Sequence, residues 1–197
     1  MYINYARREL ILKIVYYGPA LSGKTTNLVQ IHRHVDPSHR SELLSLKTTE
    51  DRTLYFDFLE LRLGKIVGLN PRVQLYTVPG QPHYEATRRL VLRGADGVVF
   101  VADSQLQRMK DNLESWIAMR NHLGSYGIQF PGLPHVVQLN KRDLPGIVSP
   151  NLFRRALGLD LDEPVVEAVA ANGTGVQAPL RSILEEVVSR LRQELAA

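Results

Sequence analysis

Gly18, Pro19, Ala20, Leu21, Ser22, Gly23, Lys24 and Thr25 have the types and the spacing to hold a polyphosphate. They match the pattern G-x-x-x-x-G-K-[ST] in full. Glycines allow a loop to turn its backbone N–H groups inward and cradle an anion, here with the amides of Gly18 and of Ala20 through Thr26. A helix opening at the end of the loop adds positive potential. Lys24 is a compact cation able to reach β- and γ-phosphates. The Thr25 hydroxyl is a hard oxygen donor suited to Mg²⁺. Four specified positions match by chance in a chain of this length on the order of 1 % of the time.

A second cluster is Asn140, Lys141, Arg142 and Asp143. A carboxylate at Asp143 can accept from both N1–H and the 2-amino group of guanine. Adenine lacks that pair of donors, so a site built on it discriminates strongly. Asn140 and Lys141 would hold the loop and pack beside the base. Further on, the Ala170 backbone N–H could meet the guanine carbonyl. By itself the tetrapeptide also fits a solvent-facing turn; its place at a strand end joins it to the phosphate loop.

These residues need elements to position them. Residues 10–17 form a β-branched and aromatic run that stops at Gly18-Pro19, as a buried strand does. Leu28, Ile31, His32 and Val35 fall at helical spacing within 24–35. Residues 36–53 are polar and irregular, which predicts a long functional loop. Residues 54–61 and 72–78 predict two strands joined by a turn near 64–68. Apolar runs at 97–103 and 134–140 suit strands buried on both faces of a parallel sheet. Leu113, Trp116, Ile117, Arg120 and Leu123 predict a helix, with Trp116 as a core anchor. Residues 164–170 predict a last strand, and the stripe Leu180, Ile183, Leu184, Val187, Val188, Leu191 and Leu195 a last helix. Strand and helix alternate, which gives an α/β doubly wound sheet with its ligand beyond the carboxyl ends of the strands. No linker or repeat divides residues 1–197, so one domain is expected.

Composition excludes several other functions. There is no cysteine, which removes disulfides, thiolate metal sites, cysteine nucleophiles and thiol-linked lipid. Tyr2 excludes an N-myristoyl glycine. The longest apolar run, 98–102, falls far short of the ~18 residues that a membrane span requires. Residues 1–8 are too polar for a secretory signal, so a cytoplasmic protein is expected. Twenty-four Lys and Arg against 20 Asp and Glu leave +4, spread along the chain, which is no dedicated nucleic-acid binder.

The segments KIVYYGP at 13–19, DRTLYFDFL at 51–59, LYTVPGQ at 75–81, LVLRGADGVVFVADS at 90–104 and QLNKRDLP at 138–145 resemble the Ras-like small GTPases. Within that superfamily they are most similar to the MglA-like bacterial gliding-motility GTPases, and the resemblance covers nearly the whole chain. It implies a P-loop NTPase of Ras-like fold, with a mostly parallel sheet flanked by helices. The implied function is a switch that binds GTP or GDP with Mg²⁺ and hydrolyses GTP, in cell polarity or gliding motility. By resemblance, Thr53 is the first-switch threonine that binds Mg²⁺ with Thr25. Gly80 meets the γ-phosphate, Gln81 orients the attacking water, and Arg52 is an arginine finger supplied in cis. A GTPase-activating partner of the Roadblock-fold MglB type is implied, with recruitment to a cell pole through partners.

Two departures stand out. Thr77 occupies the position where Ras-like proteins usually carry an aspartate, a threonine shared by MglA-like proteins, and implies weaker outer-shell binding of Mg²⁺. Ala20 occupies a position that is usually glycine, which implies slower hydrolysis. It keeps open an alternative, a slow or inactive pseudo-GTPase that recruits partners when loaded. An ATP-driven kinase or motor on the same loop is disfavoured by Asp143. His83 follows Pro82 where relatives are usually apolar. Arg88, Arg89 and Arg93 form either a docking surface for an acidic partner or a solvated helix face. His32, His34 and His39 are surface histidines, since the first two project about 200° apart on a helix and cannot share an ion.

Overall fold

Glycine and proline cut the chain into short elements of alternating type. The computed structural model describes residues 1–47, 55–130 and 132–196. The strands are β1 (Tyr2–Asn4), β2 (Glu9–Tyr17), β3 (Leu44–Lys47), β4 (Tyr55–Arg62), β5 (Asn70–Thr77), β6 (Gly97–Asp103), β7 (His135–Asn140) and β8 (Val165–Glu167). The helices are α1 (Lys24–His34), α2 (Glu85–Leu92), α3 (Met109–Gly124), α4 (Pro150–Leu157) and α5 (Gln177–Ala196).

Successive side chains of a strand point to opposite faces, so β2 serves two cores. Leu10, Leu12, Ile14 and Tyr16 pack with Leu28 and Ile31 of α1 and with Ile183, Val187 and Leu191 of α5. Val15 and Tyr17 pack on the other face with Val91 of α2, Trp116 and Met119 of α3, and Phe153 of α4. Every residue of β6 and β7 is buried, as strands covered on both faces require. Each fully buried Leu or Ile contributes about 1.5–3 kcal/mol of transfer free energy. Trp116 is a core anchor as expected: it is 2 % exposed and its Nε1–H donates to the Leu157 carbonyl at 3.1 Å.

The strand order is β3-β4-β5-β2-β6-β7-β8. Strands β5, β2, β6, β7 and β8 run parallel, while β4 is antiparallel to both of its neighbours. This is the doubly wound, mostly parallel sheet that the alternation of elements implied. The carboxyl ends of the parallel strands share one rim, where ligands bind in such sheets. Among the described residues, no helix is long and apolar enough to cross a membrane.

Four elements named here were not expected from the sequence. The expected loop 36–53 contains a 3₁₀ turn, Pro37–His39, and strand β3, paired antiparallel to β4 with Ser45 opposite Asp57. Leu44 and Leu46 alternate correctly for a strand, but they point to solvent. Strand β1 folds back on the first half of β2, pairing Tyr2 with Ile11. Both strands are three or four residues long and exist through their partners. Helix α4 carries its own boundaries: Ser149 caps it by accepting from the Leu152 N–H, Pro150 starts it, and Gly158 ends it at φ 67°.

Candidate functional site

The phosphate loop joins β2 to α1, and α1 starts without a side-chain cap or a first-turn acid. Its free amides therefore face outward, which is what an anion at a helix N-terminus uses. Gly23 precedes α1 at φ 102°, and a Cβ there would lie 2.2 Å from Asn140 Nδ2. Glycine is thus required both by backbone conformation and by the closeness of the other motif. Leu21 also takes a left-handed φ of 63° and is exposed. Strain of this kind in a non-glycine residue gathers at functional loops. Ser22 is buried, Ala20 and Thr26 are half-buried, and Thr25 is exposed at the rim.

Lys24 donates to the carbonyls of Gly18 and Pro19, at 2.9 and 2.7 Å. Burial pushes its ammonium down from 10.5 to about 7, Arg88 acts in the same direction, and Asp57 opposes both. The unfolded chain therefore holds a proton that the folded chain has lost between about pH 7 and 10.5. An anionic ligand brings the charge back, so its affinity should fall as pH rises through that window. Binding of GDP at about pH 8 should take up close to one proton. Calorimetry in buffers of different ionisation heat reads this directly, and identical heats in all buffers would rule it out.

At the second cluster, Asn140 is a tie between three segments. Its Nδ2 donates to the Ser22 carbonyl at 2.8 Å, and its Oδ1 accepts the Ala170 N–H at 2.8 Å. The sequence placed that N–H on a guanine carbonyl. The structure gives it to Asn140, so Ala170 first fixes the asparagine. Lys141 adopts φ 65°, and its ammonium donates to the buried Asp103 carboxylate at 2.7 Å. The Arg142 N–H donates to the Ala168 carbonyl at 3.1 Å. Asp143 stands exposed on this braced loop, at the same rim as the phosphate loop.

Residues 79–84, which follow β5 and would form the second switch implied by the resemblance, close the site from the β5 side. A Cβ on Gly80 would lie 2.3 Å from the Ala20 N, so only glycine allows this approach. Gln81 is exposed and leads into the 3₁₀ turn Pro82–Tyr84. Its carbonyl accepts from the Arg88 guanidinium and from the Tyr84 N–H. Arg88 is 8 % exposed, which removes it from the solvated face that the arginine cluster suggested. It reaches Tyr17, whose hydroxyl burial pushes up to about 12. Arg108, at the start of α3, donates to the Ala20 carbonyl at 2.9 Å. Arg52 and Thr53 lie outside the described residues.

The Thr25 hydroxyl donates to Asp57 Oδ2 at 2.6 Å, and the Thr77 hydroxyl donates to the same oxygen at 2.8 Å. Ser45 donates to Asp57 Oδ1 at 2.7 Å, and the Asp57 N–H is accepted by Thr77 Oγ1. Thr25 can thus give its proton to the carboxylate and keep oxygen lone pairs for a hard cation. The donor set is all oxygen, which fits Mg²⁺. No cluster of three or more His, Cys, Asp or Glu that could hold a metal occurs among the described residues, and His34 Nδ1–H donates to the Gln30 carbonyl at 2.7 Å.

Asp57, Arg88, Asp103 and Arg108 were not singled out as site residues from sequence. For Asp57 a signal existed. It alternates in phase with Leu59 and Leu61, so a carboxylate occupies a core-facing register of β4.

The chain is 48 % identical over 192 residues to the mutual gliding-motility protein MglA of Myxococcus xanthus (strain DK1622), covering 98 % of each chain. It is 26 % identical over 188 residues to ADP-ribosylation factor-like protein 6 of Caenorhabditis briggsae, covering 89 % of this chain and 86 % of that one. To the Ras-related protein RABG3d of Arabidopsis thaliana it is 25 % identical over 198 residues, covering 96 % and 88 %. No family model matches the chain.

Proposed function

The chain belongs to the MglA family of Ras-like small GTPases, guanine-nucleotide switches that hydrolyse GTP, and from that premise we propose that this switch regulates cell polarity or gliding motility. The observation that supports the site assignment is Asn140, which ties the phosphate loop to the base loop through two buried 2.8 Å bonds. On this reading residues 1–197 act as one G domain. Asp143 selects guanine, and the Lys141 stem packs beside the base while Asp103 holds its ammonium.

The chemistry is attack of water on the γ-phosphorus in line with the leaving GDP. Lys24 leaves the Gly18 and Pro19 carbonyls and places its charge on the β- and γ-phosphates. Gln81 positions the water, held by its backbone through Arg88. Arg52 stabilises the negative charge that develops on the transferred group. The Gly80 N–H and Thr53 sense the γ-phosphate and order the two switches, which hydrolysis releases. Thr25 and Thr53 would hold Mg²⁺, which neutralises charge on the phosphates when bound. A Roadblock-fold partner of the MglB type reads and accelerates the cycle, and recruitment to a pole comes through such partners.

Ala20 lies where Gly80 closes, so on this reading its methyl group tightens the space in which the attacking water is held. Ala20→Gly should raise single-turnover GTP hydrolysis roughly tenfold, a barrier change of about 1.4 kcal/mol. Phosphate release from preloaded protein measures it. An unchanged rate removes Ala20 from the account, and no release from either protein would favour a binding module that does not turn GTP over.

A further inference from the structure

The second switch lacks the carboxylate expected at Thr77, yet a buried carboxylate sits beside it from another strand. We propose that Asp57 of β4 is a positioning residue for Mg²⁺, replacing the second-switch aspartate as the group that orients Thr25 and the metal's water. The inference rests on the Mg²⁺ binding described under the proposed function.

Three observations carry it. Asp57 is 3 % exposed, and among the described residues no salt bridge reaches it. Lys24 acts on this carboxylate only from beyond salt-bridge distance; a carboxylate removed from water without a cation in direct contact is costly, and a divalent ion nearby offsets that cost. Next, its strongest contact is with the proposed metal ligand: Thr25 Oγ1 donates to Oδ2 at 2.6 Å, the short distance of a charge-assisted bond. That bond fixes the hydroxyl proton on the Asp57 side and leaves the Thr25 oxygen free to ligate, as second-shell partners of metal ligands do. Finally, Thr77 is not idle. It donates to Oδ2 at 2.8 Å and accepts the Asp57 N–H at 2.9 Å, so the residue in the usual aspartate position holds the substitute carboxylate.

The count of lone pairs leaves room for the role. A carboxylate has about four acceptor sites. Thr25 and Thr77 use Oδ2, and Ser45 uses one site of Oδ1. One site on Oδ1 remains for a water bound to the metal. The weaker outer-shell binding implied by Thr77 is therefore compensated, because the carboxylate has moved from the end of β5 to β4, one strand away. Ser45 belongs to β3, which ties the same carboxylate to the outermost strand before residues 48–54.

The test reads GDP release rather than hydrolysis. Protein loaded with a fluorescent GDP analogue is chased with excess GDP across a titration of free Mg²⁺ and in EDTA. Asp57→Asn should raise the Mg²⁺ midpoint at least tenfold while leaving release in EDTA within about twofold of wild type. The exchange Asp57→Thr with Thr77→Asp, which returns the carboxylate to β5, should bring the midpoint back toward wild type. A purely structural Asp57 would speed release equally with and without Mg²⁺, and that result, or an unmoved midpoint, overturns the inference. If Asp57→Asn does not fold, Asp57→Glu must raise the midpoint in the same direction; no shift overturns it. Wild-type release that ignores Mg²⁺ overturns the magnesium reading itself and the inference with it.

Discussion

Gln81→Leu should bind GTP as wild type does and hydrolyse it about a hundred- to a thousandfold more slowly. The exposed side chain makes no packing contribution to lose, so stability should move by less than about 0.5 kcal/mol. The backbone contacts survive the change: the Gln81 carbonyl still accepts from Arg88 and from the Tyr84 N–H. What disappears is the amide that, on the proposed reading, orients water. Arg52→Ala should lose on the order of a thousandfold or more, because it removes charge stabilisation in the transition state. Neither position belongs to residues 18–26 or 140–143, so GTP affinity is the internal control. Single-turnover phosphate release beside a fluorescent GTP titration measures both quantities. Normal turnover in both variants would refute the catalytic assignment.

Asp143→Asn should weaken GTP binding by about a thousandfold and improve binding of xanthosine triphosphate by a similar factor. Each hydrogen bond from the base to a carboxylate is worth about 1.5–3 kcal/mol, and two are lost or weakened together. Xanthine carries a carbonyl where guanine carries the 2-amino group. An asparagine can donate to that carbonyl and still accept from N1–H, so the preference reverses. The loop itself should not move. Asp143 is exposed, and the brace beneath it consists of Lys141 on Asp103 and the Arg142 N–H on the Ala168 carbonyl. Competitive displacement of a fluorescent nucleotide by both triphosphates gives the ratio. Retained GTP preference would move base recognition away from Asp143.

The residues that read most clearly in the sequence are those whose function depends on local order. Gly18 through Thr25 form one contiguous loop between β2 and α1, as a loop that is to wrap one anion must, so the pattern survives in one dimension. Strands β6 and β7 were legible because burial on both faces leaves nearly continuous apolar runs, and β2 because its run is β-branched and aromatic and ends fully buried. Strands β1 and β3 were not, since three or four residues become a strand only when a distant partner supplies the hydrogen bonds. The same limit hid part of the site. Asp57 meets Thr25 from 32 residues away and Thr77 from 20, and neither separation has a periodicity to betray it. Arg88 read as one cation in a surface cluster because its burial depends on Gln81 and Tyr17, which come from other segments. Ala170 was assigned to the base, whereas its N–H goes to a side chain 30 residues earlier.

The central claim is that Lys24, Asn140 and Asp143 together make a guanine-nucleotide site. Displacement of a fluorescent GDP analogue by unlabelled GTP and by ATP, in the same buffer with Mg²⁺, tests it most directly. GTP should displace at concentrations near that of the site, and ATP should fail at about a thousandfold excess, the discrimination expected of a site whose hydrogen bonds only guanine completes. Equal displacement by the two triphosphates would contradict the account.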